Sequence, residues 1–210
     1  NLGKRLEQLH LKGAKSIEEI VKMVEQKTNK LPISSWIKGF GWDQSLWTDE
    51  NFPKSKVLNS ISPSHPIMLT RVDGHSIWVN NLALKLAGYD VDNPQAPDGG
   101  KIINNCILLD NAMNKIWDAQ PEDSFADVKR WIKIAANVAA SRGITNVHDA
   151  WQDTNTVQAI KELINEDEFP IRCYGMLASS DSTLLASFFK NGHYESELYT
   201  IRSVKAFIDG

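Results

Sequence analysis

"SFADVKRWIKIAANVAASRGITNVHDA", residues 124–150, decides the fold. Ser124 is an N-cap type of residue, and Phe125, Val128, Trp131, Ile132, Ala135 and Val138 recur at helical spacing until Gly143. Cap, period and stop together predict a helix. "ITNVHDA" then reads as a strand, and the same pairing recurs twice. "NTVQAIKELINEDEFP" (155–170) predicts a helix ended by Pro170, followed by the strand "IRCYGML" (171–177). "DSTLLASFFKNG" (181–192) predicts a helix stopped at Asn191-Gly192, followed by the strand "YTIRSVKAFIDG" (199–210). His148, Met176 and Lys205, each placed near a strand end, lie 28 and 29 residues apart, the length of one βα unit. Parallel strands joined by right-handed helical crossovers follow.

Three such units suit either a doubly wound sheet or part of a (β/α)8 barrel. A buried parallel strand ordinarily reads as near-continuous Val, Ile and Leu. His148, Asp149, Lys205 and Asp209 near strand C-termini therefore need a reason, and they favour the barrel, whose active sites are built at that end.

The texture is different before residue 120. Seven of the eight prolines precede residue 122, and "NKLPIS", "SISPSHP" and "DNPQAPDGG" punctuate short segments. Short strands and loops are expected there. "SIEEIVKMVEQKT" (16–28) is the exception: Ser16 and Glu19 have capping-box spacing, and Ile17, Ile20, Val21 and Val24 follow a helical period.

At 42% hydrophobic residues the chain is rich enough to bury a core. Its 23 basic and 26 acidic residues leave no basic footprint for nucleic acid or an anionic membrane. No apolar run reaches the roughly 20 residues of a membrane span. Cys106 and Cys173 have neither CxxC nor metal-type spacing and read as ordinary thiols. The chain opens on Asn1 rather than Met and stops on "VKAFIDG", which reads as an internal piece of a longer protein. Its compartment is accordingly open.

Two constellations carry candidate chemistry. In "SVKAFIDG", alternation puts Val204, Ala206 and Ile208 on one face and Lys205, Phe207 and Asp209 on the other. A lysine inside a barrel pays a desolvation cost as a cation. A neutral amine there attacks a carbonyl to form a Schiff base, or captures carbon dioxide as a carbamate that bridges metal ions. Pairing with Asp209, for the fold alone, stays open beside these. His148 has the chemistry of a metal ligand or a substrate hydrogen-bonder, while Asp149, its neighbour, faces the other way on an ideal strand. In "LTRVDGHSIWVNNLALKLAG" (69–88), alternation aims Arg71, Asp73 and His75 at one face, where they line a pocket or pair with one another. No G-x-S-x-G elbow, phosphate-cradling loop or H-E-x-x-H motif is present, which argues against serine hydrolases and P-loop enzymes.

"LPISSWIKGFGWDQSLWTDENFP", "SPSHPIMLTRVDGHSIWVNNLALKLAG", "DGGKI", "LLDNAM", "GITNVHDA" and "VKAFIDG" occur in that order along nearly the whole chain. In this the sequence resembles the amidohydrolase-3 branch of the amidohydrolase superfamily, the YtcJ-like group that includes N-substituted formamide deformylase. The resemblance implies an α/β fold holding roughly the first half of a (β/α)8 TIM barrel, with a mixed α+β insertion after the first barrel strand. Residues 1–31 would be the helical region after that strand, 32–120 the insertion covering the barrel mouth, and 121–210 the barrel units, with strands near 144–150, 171–177 and 199–208.

It further implies a metal-dependent hydrolase acting on a non-peptide C–N bond of a small amide or formamide. Metal lowers the pKa of bound water from about 15.7 toward 7 in such enzymes. The metal would be zinc, one or two ions, with Lys205 as a bridging carbamate. The H-x-H pair would lie just before Asn1, and the later histidines and the basic Asp beyond Gly210. His148 and Asp149 inherit catalytic roles; His75, Arg71, Asp73, Trp42 and Trp78 would line the substrate chamber. The piece alone would be inactive. A Schiff-base lyase or a barrel serving only as a scaffold are the alternatives, and a homo-oligomer is compatible with each. One departure stands out: "INNC" is shorter than the turn the resemblance leads one to expect, with Cys106 where a glycine is usual.

Overall fold

The computed structural model describes residues 2–207, of which 6–122 form one compact unit and 2–5 with 123–207 another. The division falls after residues 5 and 122.

The first unit contains the last two residues of α1 (Leu2–Glu7), then β1 (Leu9–His10), α2 (Ile17–Thr28), β2 (Ile37–Trp42), α3 (Ser55–Ile61), β3 (Ile67–Arg71), β4 (Ser76–Val79), α4 (Asn81–Leu86), β5 (Gly100–Ile103), β6 (Ile107–Asp110) and α5 (Asn114–Asp118). The α2 cap forms as its spacing predicts: Glu19 N–H donates to Ser16 Oγ, while the Glu19 carboxylate accepts from Lys15 N–H rather than from the cap residue itself. The six strands make one mixed sheet in the order β1-β2-β3-β4-β6-β5, parallel over β1–β3 and antiparallel thereafter. Both faces of its centre are buried. Ile67, Leu69, Trp78 and Ile107 enter one apolar cluster, and their strand neighbours Met68, Ile77, Val79 and Leu108 enter another. Residues 9–10 pair with β2, which ties the expected "barrel helix region" into this sheet. The short "INNC" turn closes the β5–β6 hairpin with Asn104 and Asn105 at φ 51° and 55°, a left-handed pair that asparagine tolerates well.

The second unit alternates helix and strand: α6 (Phe125–Ser141), β7 (Asn146–Gln152), α7 (Thr154–Asn165), β8 (Arg172–Ala178), α8 (Ser182–Asn191), β9 (Tyr194–Glu195) and β10 (Tyr199–Lys205). Its sheet runs β7-β8-β10-β9, the first three strands parallel and β9 antiparallel. Ser124 and Asp127 complete a reciprocal capping box on α6. The helix α7 stops well before Pro170, at Glu166, because Asp167 turns left-handed (φ 58°). Ala136, Val157, Leu163 and Leu184 pack with Cys173, Leu177, Tyr199 and Ile201 in a core on one face of this sheet. Strand β7 runs to Gln152, so His148 sits in mid-strand rather than near the end. Of the predicted last strand, Ile208 and Asp209 lie outside the described residues.

Candidate functional site

The sheet of the second unit has one face packed by helices and one that is not. Register fixes which residues share each face. His148 pairs with Tyr174, Ser203 with Met176 and Lys205 with Ala178. Since Cys173, Leu177 and Ile201 belong to the core, alternation puts His148, Tyr174, Met176, Ser203 and Lys205 on the opposite face. The imidazole of His148 is exposed and lies 5.3 Å, centre to centre, from the Tyr174 ring. Lys205 is half-buried at the C-terminal end of β10. Four residues of register along β8 separate His148 from Lys205, about 13 Å at the usual rise per residue.

Lys205 owes its facing to a bulge. Ile201 pairs with Gly175 and Ser203 with Met176, leaving Arg202 as the extra residue. Counting by twos from Ile201 would send Lys205 into the helix-packed core; the bulge re-aims it. The Ser203 hydroxyl, on Lys205's face, is buried without a hydrogen-bond partner among the described residues, and such groups call for an explanation. The Asp209 pairing open to Lys205 falls outside the described residues.

Asp149 faces away from His148, as alternation on one strand requires, and accepts from Gln152 Nε2 at 3.1 Å. Gln152 is fully buried and its Oε1 accepts from Tyr199 Oη at 2.5 Å. The bond passes over Gly175, where an added Cβ would come within 2.0 Å of Gln152 Oε1. Burial pushes the Tyr199 phenol above its ordinary value, with the Cys173 and Asp149 charges adding to the shift. It likewise pushes the Cys173 thiol up to about 11 and the Cys106 thiol up to about 12, so neither is a thiolate nucleophile.

Sequence reasoning missed Gln152, Tyr199 and Gly175. Their signal lies in three-dimensional register and has no counterpart in local spacing.

In the first unit, β3 ends at Arg71, and Asp73 and His75 lie in the turn to β4, so strand alternation does not govern them. Gly74 makes the turn at φ 78°, its N–H bonded to the Arg71 carbonyl. Arg71 pairs with Asp73 at 2.6 Å and donates to Gln44 Oε1 at 2.9 Å. The His75 side chain is 77% exposed, 3.3 Å from the Asp110 carboxylate. The three are thus held by neighbours at one end of the sheet. Trp42 and Trp78 present no surface at all: both are fully buried, their rings 6.4 Å apart in an edge contact. Trp42 Nε1 donates to Leu69 O at 2.7 Å, while Trp78 Nε1 is without a partner among the described residues.

Among the described residues no three His, Cys, Asp or Glu side chains come together as a metal-ligating group. Lys205, even as a carbamate, would supply part of a ligand set only. The residues described here do not by themselves make a metal site.

The chain belongs to the amidohydrolase family, whose Amidohydro_3 profile matches residues 3–210. It is 30% identical over 227 aligned positions to the Arabidopsis thaliana protein LONG AFTER FAR-RED 3, covering 99% of this chain and 38% of that one. It is 26% identical to the putative amidohydrolase YtcJ of Bacillus subtilis, covering 82% of this chain and 34% of that protein. The chain therefore spans little more than a third of the length of these relatives. Two crystal structures, of uncharacterized metal-dependent hydrolases from Pyrococcus horikoshii and Pyrococcus furiosus, share the fold. Each superposes over all of this chain with a TM-score of 0.72, at 23% and 24% identity, covering 40% and 42% of their own chains.

Proposed function

We propose that the protein is a metal-dependent hydrolase of a non-peptide C–N bond, in an amide or formamide, and that its second unit is part of a (β/α)8 barrel. The observation that carries this reading is the facing of Lys205. A half-buried lysine at the C-terminal end of a parallel strand is turned by a bulge onto the same face as His148, away from the helices. Active sites of parallel βα layers lie at that end.

In this reading the Lys205 amine attacks carbon dioxide, an N–C bond forms, one N–H proton leaves to solvent, and the side chain becomes anionic. The remaining ligands come from outside the described residues. A divalent cation such as zinc, when bound, supplies Lewis acidity at the scissile carbonyl and makes its water more acidic. His148, on the same face, orients substrate by hydrogen bonding.

The test is made in the full-length protein. Metal content, hydrolysis of simple amides and formamides, and a 13C signal from labelled bicarbonate on Lys205 are measured together. Lys205→Ala is expected to remove the 13C signal and lower hydrolysis by more than about 100-fold, the upper range for losing a group that supports a metal site. Borohydride trapping of a carbonyl substrate on Lys205 would instead establish a Schiff-base lyase.

A further inference from the structure

A chain of polar contacts crosses the helix-packed face of the β7-β8-β10 sheet. The Tyr199 hydroxyl donates to Gln152 Oε1 at 2.5 Å, and Gln152 Nε2 donates to Asp149 Oδ2 at 3.1 Å. The same Nε2 lies 3.7 Å from Cys173 Sγ. Burial keeps the phenol protonated, so it is the donor, and the amide oxygen of Gln152 faces it. Tyr199 and Gln152 are both fully buried.

The bond runs diagonally. Gln152 stands level with Leu177 of β8 and Tyr199 level with Cys173, and Gly175 lies midway between. A Cβ on Gly175 would come within 2.0 Å of Gln152 Oε1 and 3.1 Å of the Tyr199 ring, so the crossing needs a residue without a side chain. Gln152 thus reaches over a whole strand to β10. A diagonal tie changes length when the outer strands slide, and it therefore opposes a change of register.

Both outer strands carry an extra residue where the tie crosses. Three steps of β7, from Asp149 to Gln152, span two of β8, from Gly175 to Leu177. In β10, two steps from Ile201 to Ser203 span the single step from Gly175 to Met176. Tyr199 lies before this second bulge, and Lys205 lies after it, where its carbonyl accepts from Ser179 N–H. With both ends held, β10 keeps its extra residue. Expelling it would shift Lys205 by one place and turn it into the core, as any one-residue slip does. Stability alone does not ask for such a tie. Two buried partners replaced together by apolar groups of like shape cost little, whereas losing one and stranding the other is costly.

We propose that Gln152 and Tyr199 are positioning residues for Lys205: their bond across Gly175 keeps β10 in the register that turns the Lys205 amine to the face of His148. The inference rests on the reading of Lys205 as the reacting amine. Both residues lie on the opposite face of the sheet from Lys205, so neither touches substrate.

The experiment uses the full-length protein and the variants Tyr199→Phe, Gln152→Met and the two combined. Melting temperature, the 13C signal of labelled bicarbonate on Lys205, and kcat and KM for a simple formamide are measured on each. The rate at which formaldehyde and cyanoborohydride methylate Lys205 in metal-free protein reports the facing of the amine whether or not hydrolysis occurs. Each single variant is expected to melt earlier, and the double variant to recover most of the melting temperature. In all three, methylation of Lys205 should slow and kcat should fall about 10- to 100-fold with KM little changed, the range for residues that support a metal-bearing group. The double variant, which strands neither partner, decides the outcome if a single one fails to fold. A double variant that regains methylation rate and kcat together with its melting temperature overturns the proposal, since the bond would then serve stability alone. Single variants that melt earlier yet keep Lys205 fully reactive overturn it too. Slowed methylation in the variants, with neither hydrolysis nor a 13C signal in wild type, sinks the hydrolase reading and leaves the tie standing. Hydrolysis and a 13C signal in wild type, with unchanged methylation and kcat in the variants, do the reverse.

Discussion

The two sheets of this protein handle their faces differently. In the six-stranded sheet, successive residues of β3, β4 and β6 feed two separate apolar clusters, so the strand centres are buried on both sides. In the parallel sheet of the second unit, one face enters a core and the other carries His148, Tyr174, Met176, Ser203 and Lys205, none of them fully buried. Parallel sheets ordinarily gain stability from cover on both faces. A face left half-polar forgoes that stabilisation and gains positions where side chains can meet a ligand. The difference separates a structural unit from a candidate reacting one.

The sharpest way to break this contrast is Trp42→Ala. The indole is fully buried, bonded to Leu69 O, and in ring contact with Trp47, Phe52 and Trp78. Truncation is expected to cost about 3–5 kcal/mol, as for large aromatic residues in packed cores. Thermal melts followed by near-ultraviolet circular dichroism measure it. A loss below about 1 kcal/mol would mean that the cluster is not the close-packed core argued here.

A smaller effect sharpens the comparison from the side of the second unit. Asp181 caps α8 through Leu184 N–H and also accepts from the N–H and hydroxyl of Thr154 at the start of α7. The Leu184 backbone bond first, then the Thr154 hydroxyl, hold its carboxyl below the ordinary 3.8. A carboxyl depressed in the folded state contributes stability above its unfolded pKa and loses it as pH falls through the folded value. Asp181→Ala should therefore cost about 1–2 kcal/mol near neutral pH, the range for a helix cap. The gap between variant and wild type should close as pH drops below 3.8. A gap independent of pH would remove the charge from the account.

The alternation of helix and strand after residue 120 was legible because helical period and terminal residues mark each helix, although α7 ends at Glu166 rather than at Pro170. What alternation could not show is where a strand gains a residue. Gly41, at φ 106°, is the extra residue of β2 between Phe40 and Trp42, and it turns Trp42 into the core beside Leu69. A Cβ there would also meet Lys12 N at 2.9 Å. The same device turns Lys205 out of the core and holds Trp151 at the surface. Facing by twos fails at each of these points, and they include the candidate site. Arg71, Asp73 and His75 do not share a strand for a related reason: the Asp-Gly pair ends β3 before the alternation can extend.

The smallest expected effect is the most discriminating. His148 lies in mid-strand on β7, exposed, with its ring beside that of Tyr174. On a surface that serves only solvation, His148→Ala should change stability by no more than about 0.5 kcal/mol. The proposed function requires that small number together with a large functional one, because it assigns His148 a role toward ligands. Hydrolysis in the full-length protein should fall by about 100-fold, within the range for losing one general acid–base or hydrogen-bonding group. If stability drops by more than about 1 kcal/mol instead, the face is packed in solution, and the two sheets no longer differ in kind. If neither changes, His148 is a solvated strand residue and the reacting face narrows to the end of β8 and β10, around Lys205.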